Sequence, residues 1–507
     1  MSAALTFKDE RDSGTQTTPP LVLALDISTS GVRAALYDGC GNEVPGAEAQ
    51  LERRLQTTAD GGAELSASEA VEQLISTIDA LLSKDVLKAA RIELVAVSCF
   101  WHSLLGVDLQ GRAVTPVFGW ADTRARKAAE ELRQQFDEHE THARTGCRFH
   151  PSYWPAKLRW LREERSLMAG AVARWMSLGE FLLLSLFGET AASVGMASGT
   201  GLFNQRSCVW DEELLAHLKL SPEQLPAIAE DAQTLNGLKE EYARRWPQLH
   251  EARWFPAVPD GAANSVGAGC TTLEQAALMV GTSGALRVLY EASPPAALPA
   301  ELWCYRVDRR RILIGGALSD GGGLHAWMRE TLSLGTDADA TERALGAMEA
   351  DAHGLTILPF WAGERSTGWH ASARGAILGL TMHTEAIHIL RAAMEAVAYR
   401  FGLIADALKD FAAPARFVAS GDALQSSQTW TQIIADVLGQ PLSLSGVREA
   451  SSRGAVLLAL EAAGAIASIR DVPAPLLKTY EPDMARHARY RAALERQQSY
   501  YESLIEK

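Results

Sequence analysis

The run Thr29-Ser30-Gly31-Val32-Arg33-Ala34-Ala35-Leu36-Tyr37-Asp38 has a second version at Thr282-Ser283-Gly284-Ala285-Leu286-Arg287-Val288-Leu289-Tyr290-Glu291. Each follows an apolar strand and leads into another, the pattern of a hairpin whose glycine permits a tight turn. A hairpin repeated about half a chain apart predicts two domains of related topology, each lending one small-residue turn to a shared cleft. On ten residues alone, coincidence between two common hairpins is an equally good reading. The length of 507 residues is too great for one ordinary core and favours two large domains.

Strands are expected over residues 21–28, 32–37 and 92–99, with a turn at 38–42 and a helix over 68–82, which is α/β organisation. The domain boundary is expected near 267–271, where Val266-Gly267-Ala268-Gly269 breaks the pattern before a new helix. This gives an N-terminal domain at 21–267 and a C-terminal domain at 268–507. The polar leader at 1–20 is expected to be disordered. Residues 485–506 read as a surface helix and Arg309-Arg310-Arg311 as a solvated hairpin turn. The longest apolar stretch, 181–187, is too short to cross a bilayer and fits a core helix.

A net charge of -14 argues against general affinity for nucleic acid or anionic membrane, so an anionic substrate would need a local positive pocket. The six cysteines show no CxxC spacing and read as buried, reduced thiols, which suits the cytoplasm.

The chain has no GxxxxGK[ST] loop, no GxGxxG after its first strand, no HExxH and no GxSxG. What remains is Asp26 at the end of a buried strand, followed by Ser28, Thr29, Ser30 and Gly31. Small residues let backbone N–H groups approach phosphate oxygens, hydroxyls add donors, and a carboxylate can hold magnesium. Arg33 could add charge, whereas Asp and Ser also stabilise ordinary turns. Asp260, in Pro259-Asp260-Gly261-Ala262-Ala263-Asn264, should open a helix at the domain boundary. It reads either as an N-cap or as a base near an attacking hydroxyl, which needs uncluttered neighbours.

Gly375-Ala376-Ile377-Leu378-Gly379-Leu380, followed after seven residues by His388-Ile389-Leu390-Arg391-Ala392-Ala393-Met394-Glu395, resembles the second signature of the FGGY carbohydrate kinases at every defined position. Lys157-Leu158-Arg159-Trp160-Leu161 and Glu163-Glu164 resemble the first signature, with Trp154 where a Pro, Ser or Thr is usual. Ser420-Gly421-Asp422-Ala423 resembles the adenosine motif, with Asp422 in place of a second glycine. The resemblance implies two actin-like, ribonuclease-H-like domains around a central cleft that binds ATP and Mg2+. It implies Asp26 for the metal, Thr29, Ser30 and Gly31 with Gly281, Thr282 and Ser283 for phosphates, and Gly322, Gly421 and Gln425 along the nucleoside. Asp260 would be the general base.

Phe100-Trp101-His102-Ser103, Trp120-Ala121-Asp122-Thr123-Arg124 and Trp303-Cys304-Tyr305 resemble the gluconokinase branch. The analogy puts Trp101, His102, Arg124, Lys157 and Asp260 at the sugar, and implies gluconate as the acceptor. A kinase of the same fold for another polyol or ketose, or an actin-like nucleotide sensor without sugar chemistry, are the competing expectations. A homodimer is compatible with the sequence, which does not fix the assembly.

Overall fold

The computed structural model describes residues 20–87 and 91–506, so the expected leader lies outside the described residues apart from Pro20. The chain opens with β1 (Leu21–Ser28), β2 (Gly31–Tyr37) and β3 (Glu43–Glu52), an antiparallel meander in which Asp26 faces Arg33 and Ser28 faces Gly31. Helix α1 (Ala67–Leu82) starts where the Ser66 hydroxyl accepts the Glu69 N–H, and Leu74, Ile78 and Leu81 give it one apolar face. Strand β4 (Ile92–Cys99) then returns parallel to β1. Helices α2 (Trp154–Glu164) and α3 (Leu178–Phe187) follow; α3, the expected core helix, is buried on nearly all sides and ends at Gly188 with φ 83°. Two short strands, β5 (Arg253–Trp254) and β6 (Val258–Pro259), pair with β4, and β6 delivers the chain directly into α4 (Asp260–Gly267).

The second half repeats the plan. Strands β7 (Gln275–Val280), β8 (Gly284–Glu291), β9 (Trp303–Arg306) and β10 (Arg311–Leu318) form antiparallel pairs. Helices α5 (Gly322–Thr331) and α6 (Ala386–Leu408) precede β11 (Arg416–Ser420), which is parallel to β7. After α7 (Asp422–Ser426), strand β12 (Leu442–Ser445) extends the parallel edge. The chain ends with α8 (Ala450–Ala462), β13 (Leu476–Tyr480) and α9 (Met484–Leu504). The first sheet runs β5-β4-β1-β2-β3 and the second contains β12-β11-β7-β8-β10 in the same order and with the same directions. Two copies of one α/β topology, each with its hairpin at the same place, decide against coincidence for the Thr-Ser-Gly repeat.

Several expectations are corrected. The helix expected beyond Gly269 is strand β7. Its Ala276-Ala277-Leu278-Met279 run has helical propensity, but it pairs on both sides in the centre of a sheet, and that ladder overrides propensity. The boundary near 267–271 separates the two sheets but not the two cores. Helix α8 comes from the second half, yet Val456, Leu457 and Leu460 sit in the core built on β1 and β4. Each such side chain contributes roughly 1.5–3 kcal/mol by leaving water. It crosses α4 at backbone contact: a Cβ on Gly267 would lie 1.8 Å from the Ala450 carbonyl oxygen, and one on Gly454 would lie 1.7 Å from that of Ala263.

Helix α9 is not a free surface helix, because Tyr490, Leu494 and Tyr501 are buried. Nor is Arg311 solvated: it is 6% exposed and paired with Asp308 and, at 2.6 Å, with Glu461 of α8. All six cysteines are free, and five are buried while Cys40 is exposed. No helix among the described residues is long and apolar enough to cross a membrane.

Candidate active site

Helix α4 begins at the carboxylate that the sequence singles out. Pro259 fixes the entry, and Asp260 turns back so that its Oδ1 accepts the Gly261 N–H at 2.7 Å. Bulk would not fit beside it: a Cβ on Gly261 would stand 2.9 Å from the Trp101 ring and 3.3 Å from the Arg287 guanidinium. Burial raises the Asp260 pKa, against the opposing pull of Arg287 and of the Gly261 and Trp101 N–H groups. A carboxylate so placed can take a proton, rather than serving only as a cap.

Asp260 lines a cavity between the two halves of the molecule. One wall is Trp101, His102, Ser152 and Tyr153 from the first half. His102 Nδ1 lies 2.6 Å from the Gly199 carbonyl oxygen, which makes Nδ1 the protonated nitrogen and Nε2 an acceptor. Burial pushes its pKa down to about 3, so the ring is neutral. The other wall is Ser283, Ala285 and Arg287, alternate residues of one strand and its turn, so they share a face. Tyr305 on β9 closes the end, its hydroxyl 2.5 Å from that of Tyr153 and its ring 4.8 Å from Trp101.

Two guanidinium groups face this cavity. Arg287 is 7% exposed, and neither its Nε nor its Nη1 has a hydrogen-bond partner. Burial pushes its pKa down to about 10, with Asp260 opposing. Arg365 donates to the Leu318 carbonyl oxygen at 2.7 Å and lies 4.8 Å from the Trp120 ring, with its Nε unpartnered. Unmet N–H groups on a buried cation demand an acceptor. Sequence reasoning passed over Arg287, whose one signal is a charge inside the apolar run Leu286-Arg287-Val288-Leu289, two residues along one face from Ala285. Arg365 and Trp369 arrive on a long connection before α6 that carries no periodic signal.

Of the two small-residue turns, the second reaches the cavity through Ser283 and Gly284, and the first follows Asp26, whose carboxylate is close enough to feel the Asp260 charge. In the first, Ser28 and Ser30 hydroxyls lie 3.0 Å apart, and the Ser30 N–H donates to Ser28 Oγ at 3.2 Å. Thr29 is half-buried at its tip. Gly31 is required by β3, since a Cβ there would lie 2.4 Å from the Leu51 carbonyl oxygen. Asp26 sits behind this turn. Burial pushes its pKa up to about 7, with Asp260 and Glu449 adding to the rise. Arg33, offered by sequence as a charge for this turn, is consumed by Glu43, at 2.6 Å, and Glu48.

The second turn, Gly281-Thr282-Ser283, packs on the triple glycine. The N–H groups of Gly321 and Gly323 donate to the Thr282 carbonyl oxygen at 3.1 and 3.0 Å, and that of Gly322 to Gly281 at 2.7 Å. The Gly322 N–H is therefore engaged in packing, and a Cβ there would lie 2.6 Å from the Gly281 carbonyl oxygen. Gly421 has φ 100°, and a Cβ would lie 2.3 Å from the Val280 carbonyl oxygen. It starts α7, whose Gln425 and Asp422 side chains are exposed. Gly281, Gly322 and Gly421 thus come together as one small-residue shelf beside Ser283.

Two of the expected sugar residues do not reach the cavity. Arg124 turns away to Asp122 and Glu64 and lies 4.7 Å from the Trp160 ring. Lys157 is 1% exposed, and its Nζ donates to the His102 and Ser152 carbonyl oxygens at 3.0 and 2.7 Å. Of the second signature, Arg391 and Glu395 pair at 2.6 Å inside the second core, with His353 and Tyr490 on the same carboxylate. Asp351 beside them is held by Arg496. That network is complete without a metal ion.

The N-terminal domain of the FGGY family of carbohydrate kinases matches residues 21–250, and its C-terminal domain matches residues 276–463. The chain is 27% identical over 470 residues to the gluconokinase of Bacillus subtilis, covering 90% of this chain and 91% of that one. Two crystal structures from Lactobacillus acidophilus, of a gluconate kinase and of a ligand-bound xylulose kinase, each superpose with a TM-score of 0.88 at 26% identity, covering 96% of this chain and 98% of theirs.

Proposed function

Because the chain belongs to the FGGY family of carbohydrate kinases, we propose that it transfers the terminal phosphoryl group of ATP to a hydroxyl of a sugar acid, turning gluconate into 6-phosphogluconate. The observation that carries the sugar-acid reading is Arg287: a buried guanidinium with two unmet N–H sites, in the same cavity as Asp260. A neutral polyol offers hydroxyl oxygens to such a group. A carboxylate offers charge and two oxygens at once, the better match for a desolvated arginine.

The strand sets the polarity of the site. Ser283 belongs to the phosphate turn and Arg287 lies four residues on, roughly 13 Å at strand rise. The sugar acid would lie with its carboxylate toward Arg287 and its reacting hydroxyl toward Asp260 and the turns. Asp260 accepts the hydroxyl proton as the oxygen bonds to phosphorus and the bond to the ADP oxygen breaks. His102 Nε2 accepts from a substrate hydroxyl, and Trp101 and Tyr305 keep water away from the reacting oxygen.

Asp26 fits a magnesium ion: it is a hard oxygen ligand whose buried charge is repelled by Asp260 and Glu449 and calls for a cation. Bound there, the ion would neutralise phosphate charge. The shelf of Gly281, Gly322 and Gly421 would admit the nucleotide where side chains would block it.

The test is ADP release by the purified protein with ATP, magnesium and a panel of gluconate, xylulose, ribulose and glycerol. Stimulation by gluconate above the others is expected. Preferential stimulation by a neutral member would keep the kinase and overturn the sugar-acid assignment.

A further inference from the structure

We infer that Lys157 is a positioning residue for the sugar pocket: it ties together the two chain segments that carry His102 and Ser152, and so fixes the wall that meets the substrate. The inference rests on the sugar-acid kinase reading above. Lys157 projects from the first turn of α2 and is 1% exposed. Its hydrogen bonds go to two main-chain carbonyl oxygens and not to a carboxylate: His102 at 3.0 Å, fifty-five residues earlier in the chain, and Ser152 at 2.7 Å. Neither His102 nor Ser152 itself lies in a strand, and between Phe100, bonded to Ile27, and Leu104, bonded to Phe118, the His102 carbonyl is met by Lys157.

His102 needs such a hold. Its φ of 66° is left-handed, a conformation that a residue with a Cβ adopts only when its surroundings over-determine it. Two contacts do so, Lys157 on its carbonyl and Gly199 on its ring Nδ1 at 2.6 Å. The ring then stands edge-on to Tyr153 with centroids 5.0 Å apart, and Tyr153 reaches Tyr305 of the other half through its hydroxyl. Ser152, the second residue bound by Lys157, also donates through Oγ to the Trp120 carbonyl oxygen at 2.8 Å. One ammonium group therefore sets the relative placement of His102, Ser152 and Tyr153, all of which line the cavity that Lys157 itself does not touch. Without it, two dry carbonyl oxygens lose their donor and the left-handed residue is free to relax.

The role predicted is that of a hydrogen-bond donor, not of a charge that attracts the substrate carboxylate. Lys157→Met removes the donors while keeping most of the volume, and Lys157→Gln keeps two N–H donors without charge, one bond shorter. Steady-state kinetics should show KM for gluconate at least about tenfold higher in Lys157→Met, KM for ATP within twofold, and a partial recovery of the gluconate KM in Lys157→Gln. A second readout does not depend on turnover. Selectively 15N-labelled histidine, with the His102 signals assigned by their loss in His102→Gln, should report a fixed Nδ1–H tautomer in wild type and Lys157→Gln and an averaged one in Lys157→Met.

Wild-type-like kinetics and tautomer in Lys157→Met would overturn the proposal. So would Lys157→Gln behaving like Lys157→Met in both, which would point to charge. If Lys157→Met does not fold, Lys157→Gln alone decides, since a lost tautomer there refutes the donor role. A wild type silent to gluconate but keeping the tautomer pattern would sink the substrate reading and leave the positioning role supported.

Discussion

Replacing Arg287 with Met tests the sugar-acid assignment most directly. The change leaves a side chain of similar reach and removes only the guanidinium, whose Nε and Nη1 have no protein partner. A hydrogen bond to a charged group contributes roughly 1.5–3 kcal/mol, and a two-pronged arginine–carboxylate contact adds to that less than twofold. A loss of about 2–4 kcal/mol in transition-state binding corresponds to a fall of roughly 30- to 900-fold in kcat/KM for gluconate. Arg287 also pulls down the pKa of Asp260, so its removal disturbs the base for every substrate alike. The informative quantity is therefore the ratio of kcat/KM for gluconate to that for glucitol, in which the carboxylate is replaced by a neutral alcohol. That ratio should fall by most of the predicted factor, because the effect on Asp260 cancels. Equal losses for both substrates, or an unchanged gluconate kcat/KM, would refute the argument.

Asp260→Asn preserves size and removes the proposed base, so kcat should fall about 10²-fold or more while ATP binding, read by calorimetry, is largely kept. Since burial raises the Asp260 pKa, wild-type kcat/KM should decline as pH falls through that raised value. Asp26→Asn should abolish magnesium-dependent turnover yet stabilise the fold. Between 3.8 and about 7 the folded chain retains a proton that the unfolded chain has released, so native stability falls as pH rises across that window. Removing the carboxylate should thus give a gain in urea unfolding that is larger at pH 8 than at pH 5, up to about 4 kcal/mol. Gly454→Ala places a methyl 1.7 Å from the Ala263 carbonyl oxygen at the α4–α8 crossing. It should lower stability by about 1–3 kcal/mol in the same assay, and an unchanged midpoint would show that the helices can part without cost.

The residues that sequence reasoning finds here are those whose role is imposed by the local backbone. Gly421 is readable because a positive φ at a strand end admits little else, and Asp260 because it opens a helix among small neighbours. The same logic makes the doubled hairpin visible and, through it, the duplicated sheet. What local reasoning cannot supply is where long side chains end. Arg124 and Lys157 carry the right charge for a sugar acid, yet one is consumed by Asp122 and Glu64 and the other by two carbonyl oxygens.

The cations that do face the cavity come from the second half of the chain, Arg287 from a strand interior and Arg365 from a long connection. Helix α8 shows the same limit at the scale of the fold. Its apolar run is plain in the sequence, but not that it packs into the first core, across glycines that are 187 residues apart at 267 and 454. That crossing places α4, and with it Asp260, against a helix from the far end of the chain. The geometry of Asp260, the proposed base, therefore depends on contacts that no window of sequence contains. It follows that substitutions at the α4–α8 crossing should alter the pH dependence of turnover as well as stability, whereas equally destabilising changes under α9 should alter stability alone.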